Sequence, residues 1–389
     1  MSRPATIRSA SLPWTRRLLL AAAALLPAAA MAATPVPPPP ELPAKGWILI
    51  DSHSGRVITS RNADERLEPA SLTKLMTGYA VFHALQSGKM KLSDSVPISE
   101  HAWRAEGSRT FVEVGTRVPV ETLIQGMIVQ SGNDATIALA EAVAGTEPTF
   151  AALMNQYAAR LGMTNSSFEN AAGLPGARHY VSARDMATLA RAVISEFPQY
   201  YHWYSQKEFA WGGITQGNRN GLLTRDPSVD GMKTGHTETA GYCLVSSAQR
   251  DGMRLISVVM GTASPKVRED ASLALLNYGF NFFETKRALA RGRALATPRI
   301  YGADGGEAAL GLREDLYVTV PRGEYGNVRI AIEFKPGLQA PLKASDAVGK
   351  VSALLDGKIV AERTLYPVKD VAEGGFFRRA WDTVASWFA

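Results

Sequence analysis

Glu68-Pro69-Ala70-Ser71-Leu72-Thr73-Lys74, with the apolar run that continues to Leu85, is the stretch on which the reading of this chain turns. Proline is well tolerated at a helix start, and residues 72–85 are mostly apolar at helical spacing, so the pattern predicts a helix opening at Ser71. Positions three apart on a helix share a face, which lets Lys74 reach back toward the Ser71 hydroxyl. A neutral hydroxyl is a poor nucleophile and needs a base beside it. A lysine enclosed by apolar groups and near another cation loses proton affinity and can act as that base near neutral pH. A serine at a helix N-terminus also faces unpaired backbone N–H groups.

Ser-x-x-Lys is a weak signal alone, and two further stretches give it weight. Ser131-Gly132-Asn133 sits between Leu123–Val129 and Ala135–Ala140, two apolar runs that read as buried helices joined by a turn. That corner presents a hydroxyl and an amide suited to relaying a proton and holding a substrate amide. Taken alone, the same residues read as a plain turn whose Asn-Asp pair caps the next helix. Lys233-Thr234-Gly235 precedes Tyr242-Cys243-Leu244-Val245 and Arg254–Met260, which read as neighbouring strands joined at Arg250-Asp251-Gly252. A cation and a hydroxyl on a strand bordering a site suit a substrate carboxylate, and Gly235 permits close backbone approach. By itself this triplet is an ordinary surface strand and turn.

Together the three signatures, in this order, form the set used by serine penicillin-recognising enzymes. The chain resembles the low-molecular-weight penicillin-binding proteins of the serine D-Ala-D-Ala carboxypeptidase class. The resemblance runs from about Trp47 to the C-terminus and includes Asn218–Leu223, Val229–Thr237 and Gly279–Thr285. It implies that Ser71 is the acylated nucleophile and Lys74 its base. Ser131, Asn133 and Lys233 complete the proton network and hold substrate, and Thr234 meets the terminal carboxylate. The N–H groups of Ser71 and His236 form the oxyanion hole. Arg268 matches a carboxylate-binding arginine, with looser flanking sequence, and Arg219 is a candidate for the rim; an exposed arginine is also often only a solvated charge.

The implied reaction removes the terminal D-alanine of a peptidoglycan stem peptide through a serine acyl-enzyme, and β-lactams would acylate the same serine as inhibitors. An endopeptidase cutting cross-links fits the same motifs. A β-lactamase of class A fits less well: no Glu-x-x-Leu-Asn occurs, and Gly132 stands where that group carries Asp. A non-catalytic wall-binding protein would not need all three motifs intact. The implied fold is a β-lactamase/transpeptidase-like α/β domain, an antiparallel sheet flanked by helices with a helical subdomain, followed by a small all-β sandwich.

Composition agrees. The chain has 389 residues, 46% hydrophobic and 20% charged, with a formal net charge of +6, values of an ordinary globular protein. No Lys/Arg run suggests nucleic acid. Six histidines and one cysteine form no metal-ligand spacing, so no metal or cofactor is expected, and Cys243 in its apolar strand reads as a structural thiol. Residues 1–33 read as a secretory signal, with Arg16-Arg17, an apolar stretch and Ala30-Met31-Ala32 as the cleavage site. Residues 34–45 are a proline-rich linker.

The domain organisation expected is a hairpin about Ser54-Gly55, helices from Ser71 to about Phe197, and strands from Phe209, with a closing helix near Ala271–Phe283. The peptidase domain spans 46–286 and the β-sandwich domain 287–373. Residues 374–389 carry aromatic residues and arginines on different faces of a helical pattern, fitting an interfacial helix too short to span a bilayer. The expected location is the periplasm, held at the outer face of the inner membrane.

Overall fold

The computed structural model describes residues 35–375. The readings of residues 1–33 as a secretory signal and of 376–389 as an anchor lie outside the described residues.

Five strands form the central antiparallel sheet: β1 Gly46–Asp51, β2 Val57–Arg61, β3 Val229–Thr237, β4 Gly241–Arg250 and β5 Met253–Thr262, ordered β2-β1-β5-β4-β3. Both faces of the central strands are covered, which explains their unbroken apolar runs. Side chains alternate along a strand: Trp47 and Leu49 of β1 pack with Leu275 and Leu276. Ile48 and Ile50 point the other way, into the helical core. The turn between β4 and β5 carries Asp251 at φ 48° and Gly252 at φ 80°, the paired positive dihedrals of a type I′ hairpin. The chain order thus joins both ends of the domain in one sheet, with β3 at its edge.

Five longer helices are α1 Lys74–Gln86, α2 Asn133–Ala144, α3 Glu147–Arg160, α4 Ala183–Glu196 and α5 Pro265–Phe282. Helix α1 is apolar on nearly every side, with Leu75, Met76, Tyr79, Val81 and Phe82 fully buried, so it is the axis of the helical cluster. Helix α5 covers the opposite sheet face; a Cβ on Gly279 would press on Leu255 and Leu49. The segment expected to be helical also holds a short strand pair, Ser95–Pro97 with Arg117–Pro119. The proline-rich stretch lies along α5, where Tyr278 donates to Pro37 O at 2.9 Å.

The second unit is all β. Phe283–Leu289 pairs with Leu316–Pro321, and a further five-stranded sheet contributes Val351, Ala353 and Leu365 to a shared core with Val318 and Val320. Strand Phe283–Leu289 runs directly on from α5 and across the 286/287 junction set from sequence.

The two units meet at a buried carboxylate. Asp51 accepts from Ser54 N at 2.7 Å, Ser54 Oγ at 2.8 Å and Thr285 Oγ1 at 2.8 Å. Thr319 Oγ1 lies 2.7 Å from Ser54 Oγ and 2.8 Å from Thr285 Oγ1. Removing a fully buried acceptor leaves its donors unpaired. Asp51→Ala is therefore expected to lower stability by about 2 kcal/mol in chemical denaturation and to speed proteolysis near residue 283. Unchanged values of both would show that Asp51 does not join the units.

Candidate active site

Ser71 lies in the 3-10 turn Ala70–Thr73 that feeds α1. Ala70 is held at φ 46°, a region disfavoured for any residue with a Cβ. Three close approaches fix the turn. A Cβ on Gly173 would overlap Ala70 O, a Cβ on Gly235 would sit 2.8 Å from Pro69 O, and Thr73 Oγ1 meets His179 Nε2 at 2.9 Å. His179 Nδ1 faces the N–H of Glu169 and the amide of Asn170, so that nitrogen accepts and Nε2–H donates to Thr73. Burial drives the His179 pKa down to about 4, so the ring is neutral.

Lys74 is buried, and its Nζ is 2.9 Å from Ser71 Oγ, 2.7 Å from Asn133 Oδ1 and 2.6 Å from Ala172 O. The last two can only accept. Each takes one N–H, so a neutral Lys74 amine has its lone pair left for the Ser71 hydroxyl proton. The same geometry that orients a donor in the charged form orients a base in the neutral form. Burial first, then the positive field of Arg219, lowers the Lys74 pKa to about 7, while Asp134 and Glu147 oppose the shift.

Ser131 sits where the π-turn Gly126–Gln130 gives way to α2, at φ 66° and ψ 31°. Non-glycine residues held in this region cost roughly 1–3 kcal/mol and cluster at functional sites. Lys233 Nζ donates to Ser131 Oγ at 2.9 Å and to Thr234 O at 3.1 Å. Burial, followed by Lys74, Arg219 and Arg268, holds the Lys233 ammonium well below the usual lysine range. Asn133 begins α2 instead of lying within the turn, and its amide nitrogen donates to Glu106 O.

Ser71, Ser131, Asn133, Thr234, Gly235, His236, Arg219 and Arg268 all line one cavity of about 670 Å³, with Lys74 and Lys233 beneath it. Arg268 enters from α5, is buried, and donates to Arg219 O at 3.2 Å, which brings the two arginines together. Its Nε is buried without a hydrogen-bond partner. Burial lowers its pKa. Edge strand β3 supplies Thr234 to His236, and Gly235 permits its approach to the serine turn. Among the described residues no carboxylate lines the cavity.

Several site residues escaped the sequence reading. Ala172 contributes only a carbonyl, which no residue-type signal reveals. Tyr242 stacks on His236 at 3.9 Å between centroids and lies under the Arg268 guanidinium. Asp134, legible only as a cap, accepts from the N–H groups of Thr110, Phe111 and Val112. It thereby shapes the loop that carries Gly107 and Ser108. Glu147 accepts from Ala171 N at 2.9 Å and steadies the segment that presents Ala172.

A serine hydroxyl within hydrogen-bond reach of a buried lysine, beside an edge strand carrying Lys233-Thr234-Gly235 on an α/β sheet, is the arrangement of a serine-type hydrolase of the penicillin-recognising class. Comparison with known proteins narrows this. The sequence pattern of the D-alanyl-D-alanine carboxypeptidases matches residues 31–264, and that of the penicillin-binding protein 5 C-terminal domain matches 283–373. D-alanyl-D-alanine carboxypeptidase DacC of Escherichia coli is 44% identical over 362 residues, covering 89% of this chain and 90% of the relative. The crystal structure of penicillin-binding protein 5 from Haemophilus influenzae superposes with TM-score 0.82 at 43% identity, over 87% of this chain and 100% of the other. Penicillin-binding protein D2 of Listeria monocytogenes, solved in its ampicillin-bound form, gives TM-score 0.58 at 28% identity over 62% of this chain and 100% of its own. The chain belongs to the D-alanyl-D-alanine carboxypeptidase family.

If Lys74 takes the Ser71 proton, only its neutral form is active. With a pKa of about 7, the second-order rate of acylation by benzylpenicillin should rise with pH through about 7 and level off above it. Arg219→Gln removes a cation that lowers this pKa, so the rising limb should move to higher pH. A flat profile from pH 5 to 9 would exclude Lys74 as the titrating base.

Proposed function

We propose that this protein is a serine carboxypeptidase that removes the terminal D-alanine from peptidoglycan stem peptides and is acylated by β-lactams at the same residue. The placement of Lys74 Nζ, with two of its directions absorbed by Asn133 Oδ1 and Ala172 O and the third facing Ser71 Oγ, is the observation that carries this reading.

The steps follow from the geometry. Ser71 Oγ attacks the carbonyl carbon between the two D-alanines while its proton passes to Lys74. The N–H groups of Ser71 and His236, both on the cavity wall, receive the developing oxyanion. Asn133 and Lys233 hold the substrate. The C-terminal carboxylate lies against Thr234 and the Arg268 guanidinium, with Arg219 at the rim. The C–N bond breaks as Ser131, hydrogen-bonded to Lys233, passes a proton to the departing amine. Lys233 replaces the Ser131 proton. Water then attacks the ester carbonyl, one of its protons returning through Ser131 to Lys233, and the C–O bond to Ser71 breaks as Lys74 gives its proton back to Oγ, releasing the shortened peptide as a carboxylic acid.

Two features favour slow release of β-lactams over rapid turnover. Among the described residues the cavity lining offers no carboxylate to activate water. Position 132 also has no room for an acidic side chain, because a Cβ there would collide with Thr110 Oγ1.

Residues 1–33 and 374–389 support a periplasmic protein attached to the outer face of the inner membrane. The first has the pattern of a secretory signal, and the second carries aromatic residues and arginines at interfacial-helix spacing. The described residues include no helix long and apolar enough to cross a membrane.

D-alanine release from a peptide ending in D-Ala-D-Ala tests the activity. Wild type should release it, benzylpenicillin should block it, and Ser71→Ala should lower kcat at least about a thousand-fold. Covalent penicillin labelling without release, combined with cleavage of cross-linked muropeptides, would replace the carboxypeptidase reading with an endopeptidase. In fractionated cells, removing residues 376–389 should move the protein from membrane to soluble periplasm; retention at the membrane would refute the anchor.

A further inference from the structure

A second cleft, of about 380 Å³, opens where the β domain meets the catalytic domain, away from Ser71. Its charge is unbalanced. Four arginines line it, 191, 287, 291 and 363, against two carboxylates, Glu314 and Asp315. Asp315 is taken up by Arg287 at 3.3 Å and by the backbone N–H of Arg291 at 2.8 Å. Glu314, mostly exposed, stands 3.7 Å from Arg363 Nε. Among the described residues no carboxylate forms an ion pair with the Arg191 or Arg291 side chain.

The two inner guanidiniums come from different domains. Arg191 projects from α4 and is fixed by Ser52 O at 2.7 Å and His53 O at 3.2 Å. Arg363 lies on strand Lys358–Pro367, and its Nε is buried with no hydrogen-bond partner. Arg191 lies in the field of Arg363: it is pushed below the usual arginine range by burial and then by Arg363, while Glu314 and Asp51 oppose the shift. Like charges converging across a cleft are unfavourable, and here one buried donor is unmet and the mostly exposed Glu314 is the one carboxylate paired with Arg363 among the described residues. His53, stacked on Tyr317 at 4.7 Å, forms an adjoining wall.

We propose that this interdomain cleft is a binding site for a phosphate group, held between the guanidiniums of Arg191 and Arg363 with Arg291 at the mouth. A carboxylate offers two oxygens in one plane and suits one guanidinium fork. Arg191 Nε and Nη2 are held by backbone carbonyls and Arg363 Nη1 by Glu362 O, so the remaining N–H groups, arriving singly from a helix and from a strand of another domain, suit a tetrahedral anion with three or more acceptor oxygens. The group can belong to a free phosphate monoester or to a diester such as a phospholipid headgroup. Because its ligands come from both domains, the bound anion would also fasten the β domain to the catalytic one.

The test is titration calorimetry of the purified full-length protein with inorganic phosphate and with glycerophosphoglycerol, a headgroup diester, at ionic strength held constant with chloride. Saturable one-to-one binding is expected, weakened about ten-fold or more in Arg363→Gln, a loss of about 1.4 kcal/mol. Arg291→Ala, at an exposed position whose side chain has no ion-pair partner among the described residues, should weaken it in the same direction and guards against misfolding of the first variant. Unchanged penicillin labelling of Ser71 reports that each variant is folded. Binding of both ligands supports a headgroup as the source, and binding of phosphate alone supports a free monoester. The proposal is overturned if wild type shows no saturable binding of either ligand, or if both variants bind as wild type does.

Discussion

Desolvation of Lys74 is the constraint on which the rest of this structure depends. An ammonium loses several kcal/mol of solvation on burial, and here it is sunk beneath the cavity floor with three oxygens around it. Those oxygens come from three separate parts of the chain: the turn before α1, the start of α2 and the loop before α4. The amine is usable only while all three hold position. Much of the catalytic domain serves to bring those segments together around a side chain that would otherwise be in water.

The backbone shows how tightly they are held. Ala70 and Ser131, beside or at the two hydroxyl positions, both have positive φ. Such conformations persist only where surrounding contacts over-determine them. Gly173 and Gly235 let two chain segments lie directly against the serine turn, and Gly132 leaves space for Thr110. The buried Asp134 then gathers three consecutive N–H groups of the loop across the cavity. Side chains that never touch a substrate thus set the position of those that line its cavity.

This division explains what sequence could and could not reveal. Spacing was informative where one element determines geometry. Ser71 and Lys74 are adjacent on one helical turn, and the alternation within β1 and the Asp251-Gly252 turn follow local rules. Ser131 beside Lys233 spans 102 positions, and no local periodicity connects them; motif order was the only guide. The Ala172 carbonyl, the stacking of His236 on Tyr242 and the Arg268–Arg219 contact arise from tertiary approach and have no signature in residue type. The helical pattern before Ser131 was legible, but its π-turn was not, since one extra residue in a turn leaves the apolar pattern nearly unchanged. The reading of Asn133 as part of a turn missed by one position for the same reason.

The cavity is cationic before any ligand arrives, and this bears on how its lysines work. Arg219 lowers both lysines, and Lys74 and Arg268 further lower Lys233. Left alone, the group is mutually repulsive, with an unmet donor at Arg268 Nε. A substrate ending in a carboxylate supplies the missing negative charge, and an anion close to a lysine raises its proton affinity. Lys233 would then be better able to hold a proton for Ser131 to pass on, whereas a raised Lys74 pKa would leave less of that amine neutral, so the same anion acts in opposite senses on the two lysines. A ligand lacking that carboxylate would leave the positive charge of the cluster uncompensated and both lysines depressed. Recognition of the chain end and the protonation of both lysines are therefore electrostatically linked, and loss of the terminal carboxylate should shift the pH dependence of acylation as well as weaken binding.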